Sequence, residues 1–412
     1  MHGHAAAIAF FLTPAGRALL DETAALPADP LIRLERLRRH HPPPLAAAAV
    51  QMWELRQRAQ RKFQNAATML FTPEGLEQST GDRIAAYRAA RFPDSMPVLD
   101  ACCGIGGDSR ALASRGPVVA VEIDLAAALC AQANLLEAPF SCAVLCADLT
   151  TLDLRAWSSR GIRAAFFDPS RRQSTPHGAR RRVVRDVEHY TPPLSFLHAL
   201  RAHFPALSVK VSPAVPDSVL QAFPDARVEF LSDQGECKEA VLWFGPLAGA
   251  LPPVPTATVL RPNAPPQQLA AEPVPVSCGP PGAYLYEPDP AVIRAGAHRV
   301  LAAQLHGRLL APEIAYFTTD CWTPTPFGTA YRILDCLPYT PKEAQAWLRR
   351  HGARLTAVKK RGVPHPPEAV QRRLRNAGDT GVILVLCPYR DRTFALFCQP
   401  AEASTNPAAP TR

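Results

Sequence analysis

Residues 98–109 have the types and spacing of a ligand-binding turn. A short apolar run ends at Asp100, and Gly104, Gly106 and Gly107 follow it before a segment with helical character. Glycines let a backbone approach a ligand closely and adopt positive φ angles. We therefore expect Gly104 and Gly106 to leave room for a ligand. Open parallel sheets bind ligands at the carboxyl ends of their strands, which is where this turn is predicted to lie.

Acidic residues also end the next three predicted strands. Glu122 ends the second strand, where an acid can accept hydrogen bonds from both hydroxyls of a ribose. Asp148 and Asp168 follow the third and fourth strands. A dinucleotide-binding turn would have a third glycine where this chain has Ser109. Together with Asp100, the acids at four successive strand ends favour a methyltransferase over a redox enzyme.

The glycine turn and the acids resemble the successive motifs of class I S-adenosylmethionine-dependent methyltransferases. The resemblance implies that Asp100 and the glycine turn hold the amino-acid part of the cofactor and that Glu122 holds its ribose. Asp148 and Leu149 would hold its adenine. The predicted cofactor-binding residues are Asp100, Cys102, Gly104, Gly106, Gly107, Glu122, Ile123, Asp148, Leu149 and Asp168.

A closer resemblance is to bacterial methyltransferase-like proteins that end in a THUMP-like domain. It spans about residues 40–400 and is carried by the motifs at 71–78, 168–172, 235–239, 284–289 and 359–362. The THUMP-like domain favours RNA as the partner, by analogy of fold. Residues 100–107 also resemble trimethylguanosine synthases, whose substrate is an RNA cap.

The residues after the fourth predicted strand bear on the methyl acceptor. Many enzymes that methylate an exocyclic amine have Asn or Asp followed by two prolines and an aromatic residue that stacks on the base. Here Ser170 and Arg171 occupy those positions, which argues against amine methylation of a nucleobase. Asp168 is the predicted catalytic residue, which would orient or deprotonate the acceptor. Arg171 and Arg172 either bind a substrate phosphate or carboxylate, or pair with the protein's own carboxylates such as Asp186.

The charge of the chain favours a polyanionic partner. The formal net charge is +9 in 412 residues, and residues 349–375 carry nine lysines and arginines against one acid, Glu368. Lys359, Lys360 and Arg361 are predicted to bind RNA, and Trp347 offers a stacking surface. A second basic run lies at 180–185, and a third on a predicted helix at 45–65. A solvated basic surface is the alternative for each run.

The preferred function is therefore methylation of RNA, with tRNA or rRNA favoured over DNA. One alternative is a methyltransferase that acts on a small molecule or a protein. Another is a non-catalytic RNA-binding protein that keeps the cofactor fold.

The elements that must position these residues form an α/β protein with several regions. Residues 1–65 are predicted to be helical, and 66–248 to form a Rossmann-like, doubly wound methyltransferase sheet. Residues 249–281 are rich in proline and predict a linker. Residues 282–400 predict a smaller ferredoxin-like or THUMP-like α+β domain, with one helix that starts at Asp289–Pro290 and ends at Gly307. Residues 401–412 are predicted to be a disordered tail. The predicted strands of the large sheet are 98–101, 118–122, 142–146, 164–167, 207–211, 228–231 and 240–244.

Cysteine spacing and hydropathy limit the class of protein further. The eleven cysteines include no CxxC pair, which favours reduced thiols over a disulfide framework or a zinc site. No metal is therefore expected. The first residues do not resemble a signal peptide, and no apolar stretch reaches the length of a membrane span. These features predict a cytoplasmic protein.

Overall fold

The computed structural model describes residues 2–136, 138–173, 182–183 and 186–401, and the chain divides into two compact units. The first unit contains residues 1–228 and 239–251, and the second contains 229–238 and 252–412. Of the predicted basic run at 180–185, only residues 182 and 183 are described. The predicted tail at 401–412 lies outside the described residues except for Ala401.

The first unit begins with six helices. They are α1 (His2–Phe11), α2 (Pro14–Ala25), α3 (Pro30–Leu37), α4 (Pro43–Ala59), α5 (Pro73–Gln78) and α6 (Asp82–Ala89). Proline occupies the first turn of α2, α3, α4 and α5, where its fixed φ suits a helix start and its missing N–H costs nothing. Thr13, Asp29 and Thr72 cap three of these helices with their side-chain oxygens.

Strands and helices then alternate along the chain. The strands are β1 (Val98–Asp100), β2 (Val118–Glu122), β3 (Cys142–Cys146), β4 (Ala164–Phe167), β5 (Arg172–Gln173), β6 (Arg182–Val183), β7 (Ala206–Val211), β8 (Arg227–Asp233) and β9 (Glu236–Phe244). The helices are α7 (Gly107–Leu112), α8 (Leu125–Asn134), α9 (Leu154–Ser159), α10 (Leu197–His203) and α11 (Asp217–Gln221). The strand bounds at β2, β3 and β4 are as predicted.

The main sheet of the first unit has the order β9-β7-β4-β1-β2-β3. All neighbouring strands are parallel except β9, which is antiparallel to β7. The strand order reverses between β1 and β4, and in open sheets this reversal is where ligands bind. The N-terminal helices share a hydrophobic core with α8, in which Leu37, Met52, Phe71, Ile105 and Cys130 are buried. The predicted α/β fold is confirmed.

The second unit contains strands where the sequence predicted a linker. β10 (Thr256–Leu260) is parallel to β8 and antiparallel to β11 (Gln267–Ala270). All five residues of β10 are buried. The prolines of this segment flank the two strands and do not interrupt them, so every ladder position keeps its N–H donor. The expectation of a loose connection at 249–281 is therefore corrected.

A second sheet forms the rest of this unit. Its strands are β12 (Tyr284–Pro288), β13 (Arg308–Leu309), β14 (Phe317–Thr319), β15 (Gly328–Pro338), β16 (Ala353–Lys360), β17 (Thr380–Tyr389) and β18 (Arg392–Pro400). They lie in the order β13-β14-β12-β15-β18-β17-β16, and only β16 and β17 pair in parallel. Its helices are α12 (Pro290–Ala295), α13 (His298–Gln304), α14 (Pro341–Arg350) and α15 (Pro367–Arg373). Residues of α14 and α15 pack on one face of this sheet in a single core.

The segment from Asp289 to Gly307, predicted as one helix, forms two helices in the structure. Gly296 has a φ angle of 80° and follows α12 as its C-cap, and α13 begins at His298. A left-handed residue ends a helix, and glycine adopts that conformation without steric cost. The expectation of one helix up to Gly307 is therefore wrong. None of the helices in the described ranges is long and apolar enough to cross a membrane.

Candidate cofactor and active site

The four predicted acids follow the carboxyl ends of adjacent parallel strands. Asp100 ends β1 and Glu122 ends β2, while Asp148 and Asp168 come shortly after β3 and β4. Because β3, β2, β1 and β4 are neighbours in this order and run in parallel, their carboxyl ends meet at one edge of the sheet. The structure therefore brings the acids together at the predicted place.

The glycines of the turn after β1 have different roles. Gly104 and Gly106 have φ angles of 55° and 83°. A Cβ on Gly106 would lie 3.2 Å from the Cα of Ala131 in α8, whereas a Cβ on Gly104 would meet no atom of the described residues within 4 Å. A Cβ on Gly107 would lie 3.4 Å from the carbonyl oxygen of Thr80. Gly104 alone therefore faces open space, and Gly106 is required by helix packing, which corrects the expectation for Gly106.

Hydrogen bonds hold the turn in place. Oε2 of Glu122 accepts the Gly104 N–H at 2.9 Å, and Oε1 accepts the Asp124 N–H at 2.8 Å. Asn134 in α8 donates through Nδ2 to the carbonyl oxygen of Ile105 at 2.9 Å. Burial raises the pKa of the Glu122 carboxyl, and the two backbone donors oppose that rise. Each carboxylate oxygen keeps a further lone pair, so Glu122 can also accept hydrogen bonds from a ribose.

Asp100 has a buried oxygen that lacks a donor. Its carboxyl is fully buried, and Ser109 donates its hydroxyl to Oδ2 at 2.5 Å. Oδ1 accepts no hydrogen bond of normal geometry within the described part of the chain, and the backbone N–H of Cys102 is close enough to the carboxyl to oppose the rise of its pKa. Burial raises the pKa of Asp100 to about 7, and the nearby charge of Asp108 contributes to the rise. A ligand ammonium group would supply the missing donor, so this position fits the amino-acid part of S-adenosylmethionine.

The remaining predicted cofactor residues line the same edge. Ile123 follows Glu122 and is 58% exposed, so it offers an apolar surface to a flat ring. Asp148 accepts the N–H of Thr150 at 2.9 Å and caps a short 3-10 turn, whose Leu149 is buried. Cys102 is partly exposed, and burial together with the neighbouring carboxylates raises the pKa of its thiol well above the ordinary value. Cys102 is therefore a neutral thiol in this site.

Asp168 is held by a lysine that the sequence did not identify. Nζ of Lys210 lies 2.6 Å from Oδ2 of Asp168 and donates to Oγ1 of Thr80 at 3.1 Å. The side chains are 10% exposed at Lys210 and 26% at Asp168, so this ion pair lies at the border of the interior. Burial by itself lowers the pKa of Lys210, but the carboxylates of Asp168 and Glu239 outweigh burial and the pKa is raised. Lys210 is therefore an ammonium ion at neutral pH.

A buried arginine connects this pair to two more carboxylates. Arg88 is 2% exposed, forms ion pairs with Asp108 and with Glu239 (2.8 Å), and donates to Oγ1 of Thr80 at 3.1 Å. Burial disfavours the charge of Arg88, but the two carboxylates outweigh it and its pKa is raised. Burial raises the pKa of Glu239 to about 7, against the opposing charges of Arg88 and Lys210. We call these five ionisable groups the charge network. Its members are Arg88, Asp108, Asp168, Lys210 and Glu239.

Sequence reasoning missed most of this network for identifiable reasons. Lys210 is a charged residue inside an apolar predicted strand, which is a signal that a buried partner exists. Glu239 precedes another predicted strand and ends one of the motifs noted in the sequence. Thr80 lies just before α6, but the N-cap of that helix is Gly81, and the Thr80 hydroxyl accepts hydrogen bonds from the network.

The loop after Asp168 is tied to a neighbouring segment. Ser170 and Thr191 exchange two backbone hydrogen bonds of 2.9 and 3.0 Å. Burial raises the pKa of Tyr190, and the charge of Arg171 opposes that rise. Arg172 is the first residue of β5.

The three cations predicted to bind RNA in the second unit have internal interactions. These residues are Lys359, Lys360 and Arg361. Nζ of Lys359 lies 2.5 Å from Oε2 of Glu287, a residue of the 284–289 motif in β12. Nζ of Lys360 donates to the carbonyl oxygen of Val363 at 3.2 Å. The guanidinium of Arg361 lies 5.4 Å from the centroid of the Tyr316 ring. Their charges are therefore partly used within the domain.

Trp347 is not an exposed stacking surface. It is 3% exposed, stacks on Phe397 at 3.8 Å between ring centroids, and donates through Nε1 to Asp335 at 2.8 Å. The predicted stacking role is corrected because α14 directs this side chain into the core.

Two cations of the predicted basic run at 45–65 also donate hydrogen bonds to carbonyl oxygens of the protein itself. Nε of Arg56 donates to the carbonyl oxygen of Met69 at 2.9 Å. Nζ of Lys62 donates to three carbonyl oxygens around the end of α5, the shortest at 2.7 Å to Leu76. Lys62 therefore holds the end of α5, whose Gly75 lies against Ile105 of the glycine turn.

Known proteins resemble this chain in sequence and in fold. Residues 4–59 match a domain of unknown function, and residues 328–400 match the THUMP domain-like family. An uncharacterized S-adenosylmethionine-dependent methyltransferase of Mycobacterium tuberculosis, found in strains CDC 1551 / Oshkosh and ATCC 25618 / H37Rv, is 30% identical over 322 residues. The match covers 77% of this chain and 84% of that relative. A crystal structure from Porphyromonas gingivalis W83, assigned as a methyltransferase, has a TM-score of 0.75 at 20% identity and covers 93% of this chain and 98% of that chain.

The sheet order, the glycine turn and the strand-end acids define an α/β enzyme of the Rossmann-like methyltransferase class. The chain belongs to the family of S-adenosylmethionine-dependent methyltransferases, and S-adenosylmethionine is its cofactor.

Proposed function

We propose that this enzyme methylates RNA, with tRNA or rRNA as the substrate class. The observation that carries the proposal is the THUMP domain-like match at residues 328–400, together with exposed arginines on the same domain. The formal net charge of +9 supports it, because such a balance favours a polyanionic partner.

The exposed arginines on and after α14 and α15 form what we call the arginine cluster. Its members are Arg349, Arg350, Arg372, Arg373 and Arg375. The amide of Gln345 in α14 donates to the Arg375 carbonyl oxygen at 2.9 Å and accepts the Arg375 N–H at 2.7 Å, which joins the two helices. Exposed guanidinium groups suit backbone phosphates. Lys359, Lys360 and Arg361 remain a second proposed set, with a weaker effect because of their internal interactions.

The first unit would carry the chemistry. S-adenosylmethionine supplies a methyl group on a sulfonium, and positioning of the acceptor provides much of the acceleration. In this proposal Asp100, Gly104 and Glu122 hold the cofactor. Asp168 orients or deprotonates the acceptor, and Arg171 with Arg172 binds a phosphate beside it.

The test is transfer of labelled methyl groups into separate cell fractions. Radiolabelled S-adenosylmethionine and the enzyme are incubated with total RNA, total protein or a small-molecule extract, and Asp168→Asn serves as the control because it keeps the shape of the side chain. We expect label in the tRNA or rRNA fraction and background label with the variant. Label only in protein or small molecules would contradict the RNA proposal. RNA binding without incorporation from any RNA fraction would contradict the proposed reaction.

A further inference from the structure

The ammonium of Lys210, next to Asp168, has three N–H donors. Within the described part of the chain, Thr80 and Asp168 accept two of them, at 3.1 and 2.6 Å. The Asp168 side chain is 26% exposed, so this end of the charge network reaches the edge of the sheet where the acceptor must enter.

The charge network fixes Lys210 in both position and charge. Thr80 receives hydrogen bonds from Lys210 and from Arg88, and Arg88 is itself held by Asp108 and Glu239. A buried cation with carboxylates on several sides keeps its proton, and its side chain has little freedom to move away. The donor is therefore preorganised before any acceptor binds.

A fixed cation at this place discriminates between acceptor atoms. When a neutral amine attacks a sulfonium, positive charge develops on the nitrogen, and a neighbouring ammonium opposes that charge. When a hydroxyl attacks, it loses its proton to a base such as Asp168 before or while the O–CH₃ bond forms, and the same ammonium stabilises the negative charge that this proton transfer places on the oxygen. The two residues after Asp168-Pro169 are Ser170 and Arg171, so neither of these positions provides an aromatic side chain to stack on a base.

We propose that the methyl acceptor is a hydroxyl oxygen of RNA, the ribose 2′-hydroxyl, and that Lys210 donates a hydrogen bond to it. This inference rests on the proposed function in RNA methylation. Lys210 would contact the reacting oxygen itself and is in that sense a catalytic residue. The other members of the charge network act through it, apart from Asp168.

The proposed step balances with the residues at hand. The new O–CH₃ bond forms as the S–CH₃ bond of the methyl donor breaks, and the sulfur keeps the electron pair of that bond. The hydroxyl proton passes to the carboxylate of Asp168, which releases it to water afterwards. Lys210 stays protonated throughout.

The test is the identity of the methylated nucleoside. RNA methylated by the wild-type enzyme is digested to nucleosides and analysed by mass spectrometry. We expect 2′-O-methylnucleosides, whose base fragments carry no added methyl group. A methyl group on the base would overturn this inference and leave the RNA proposal standing. No incorporation into any RNA fraction would overturn both.

Substitutions of Lys210 test its role separately. Lys210→Met should lower the rate constant of transfer about 100-fold, the usual loss for one donor to an oxyanion. Lys210→Arg keeps the charge and should recover about tenfold of that loss. The control is Lys238→Met, an exposed lysine that pairs with Glu236. Equal rates for Lys210→Met and the wild type would overturn the assignment.

Two measurements separate this role from a merely structural one. The affinity of Lys210→Met for S-adenosylhomocysteine, measured by calorimetry, should match that of the wild type, which shows that the fold and cofactor site are intact. An RNA fragment with 2′-deoxyribose at the mapped nucleotide should bind as tightly as its parent and accept no methyl group. Methylation of that fragment would overturn the inference.

Discussion

The charge network of the first unit and the arginine cluster of the second use charge in opposite ways. Arg88 and Lys210 are buried among carboxylates that cancel much of their charge locally. The arginines on and after α14 and α15 are exposed on a chain with a net charge of +9. Buried charges need partners with fixed geometry, whereas exposed charges act over a distance and are screened by salt. The first arrangement suits chemistry at one atom and the second suits capture of a polyanion.

The largest difference between the two regions should appear in stability. Arg88→Met leaves Asp108 and Glu239 buried without their cation, and removing one partner of such a pair costs about 3–5 kcal/mol of unfolding free energy. The matched change Arg349→Met removes an exposed arginine and should cost less than about 0.5 kcal/mol. Denaturant unfolding measures both. Equal losses in the two variants would show that the network contributes no more to stability than the exposed surface.

Two glycine substitutions should distinguish the loss of space for a ligand from the strain of a positive φ angle. Gly104 and Gly161 have φ angles of 55° and 95°, and a Cβ on either would meet no described atom within 4 Å. Valine at either position should therefore cost a similar strain of about 1–2 kcal/mol in stability. Only Gly104→Val should weaken binding of S-adenosylhomocysteine, by more than about tenfold, because in the proposed site the turn of Gly104, unlike that of Gly161, faces the cofactor. Calorimetry on both variants decides, and equal affinities would refute the site assignment.

Cofactor affinity should depend on pH through Asp100. The pKa of Asp100 is raised to about 7, so its carboxyl is mostly protonated at pH 6 and mostly ionised at pH 8. A cofactor ammonium binds the ionised form, and affinity for S-adenosylhomocysteine should rise by up to about tenfold over that range. Calorimetry at several pH values measures it. Asp100→Asn should bind more weakly and lose this part of the pH dependence. A variant with the wild-type slope would place the titrating group elsewhere.

The smallest expected effect concerns RNA capture in the second unit. RNA affinity should fall with salt, and each phosphate contact contributes about −0.7 to the log–log slope on single strands. Replacing Arg372, Arg373 and Arg375 by alanine should flatten the slope by about 2. The matched replacement of Lys359, Lys360 and Arg361 should flatten it less, since Lys359 already pairs with Glu287. A steeper loss from the second set would reverse this ranking.

Local patterns in the sequence predicted the sheet and the edge that carries the site. Apolar runs that end in Asp100 and Glu122, with glycines between them, gave strands β1 and β2 and the turn, because those signals lie within a few residues of each other. The charge network joins α6, α7, β7 and β9 across more than a hundred residues of sequence. A single sequence shows that Lys210 lies within an apolar strand, which indicates burial, but it does not show which carboxylate faces the lysine.

The second unit was harder to predict for a related reason. Strand β15 consists mostly of partly buried and exposed residues, with Tyr331 buried, and has no uninterrupted apolar run. The strands β10 and β11 lie in a proline-rich segment whose composition predicts a connection. Their stability comes from pairing with distant strands, which local composition does not record.

We propose that the first unit carries out the chemistry and that the arginine cluster of the second binds RNA. The most direct test is single-turnover methyl transfer into RNA at saturating RNA concentration. We expect the variant in which Arg372, Arg373 and Arg375 are alanine to transfer methyl groups at the wild-type rate once RNA is saturating, because those arginines deliver the substrate. We expect Asp168→Asn to stay at background under the same conditions, because Asp168 acts at the reacting atom. A triple-arginine variant that remains slow at saturation, or an Asp168→Asn enzyme close to the wild-type rate, would contradict these roles.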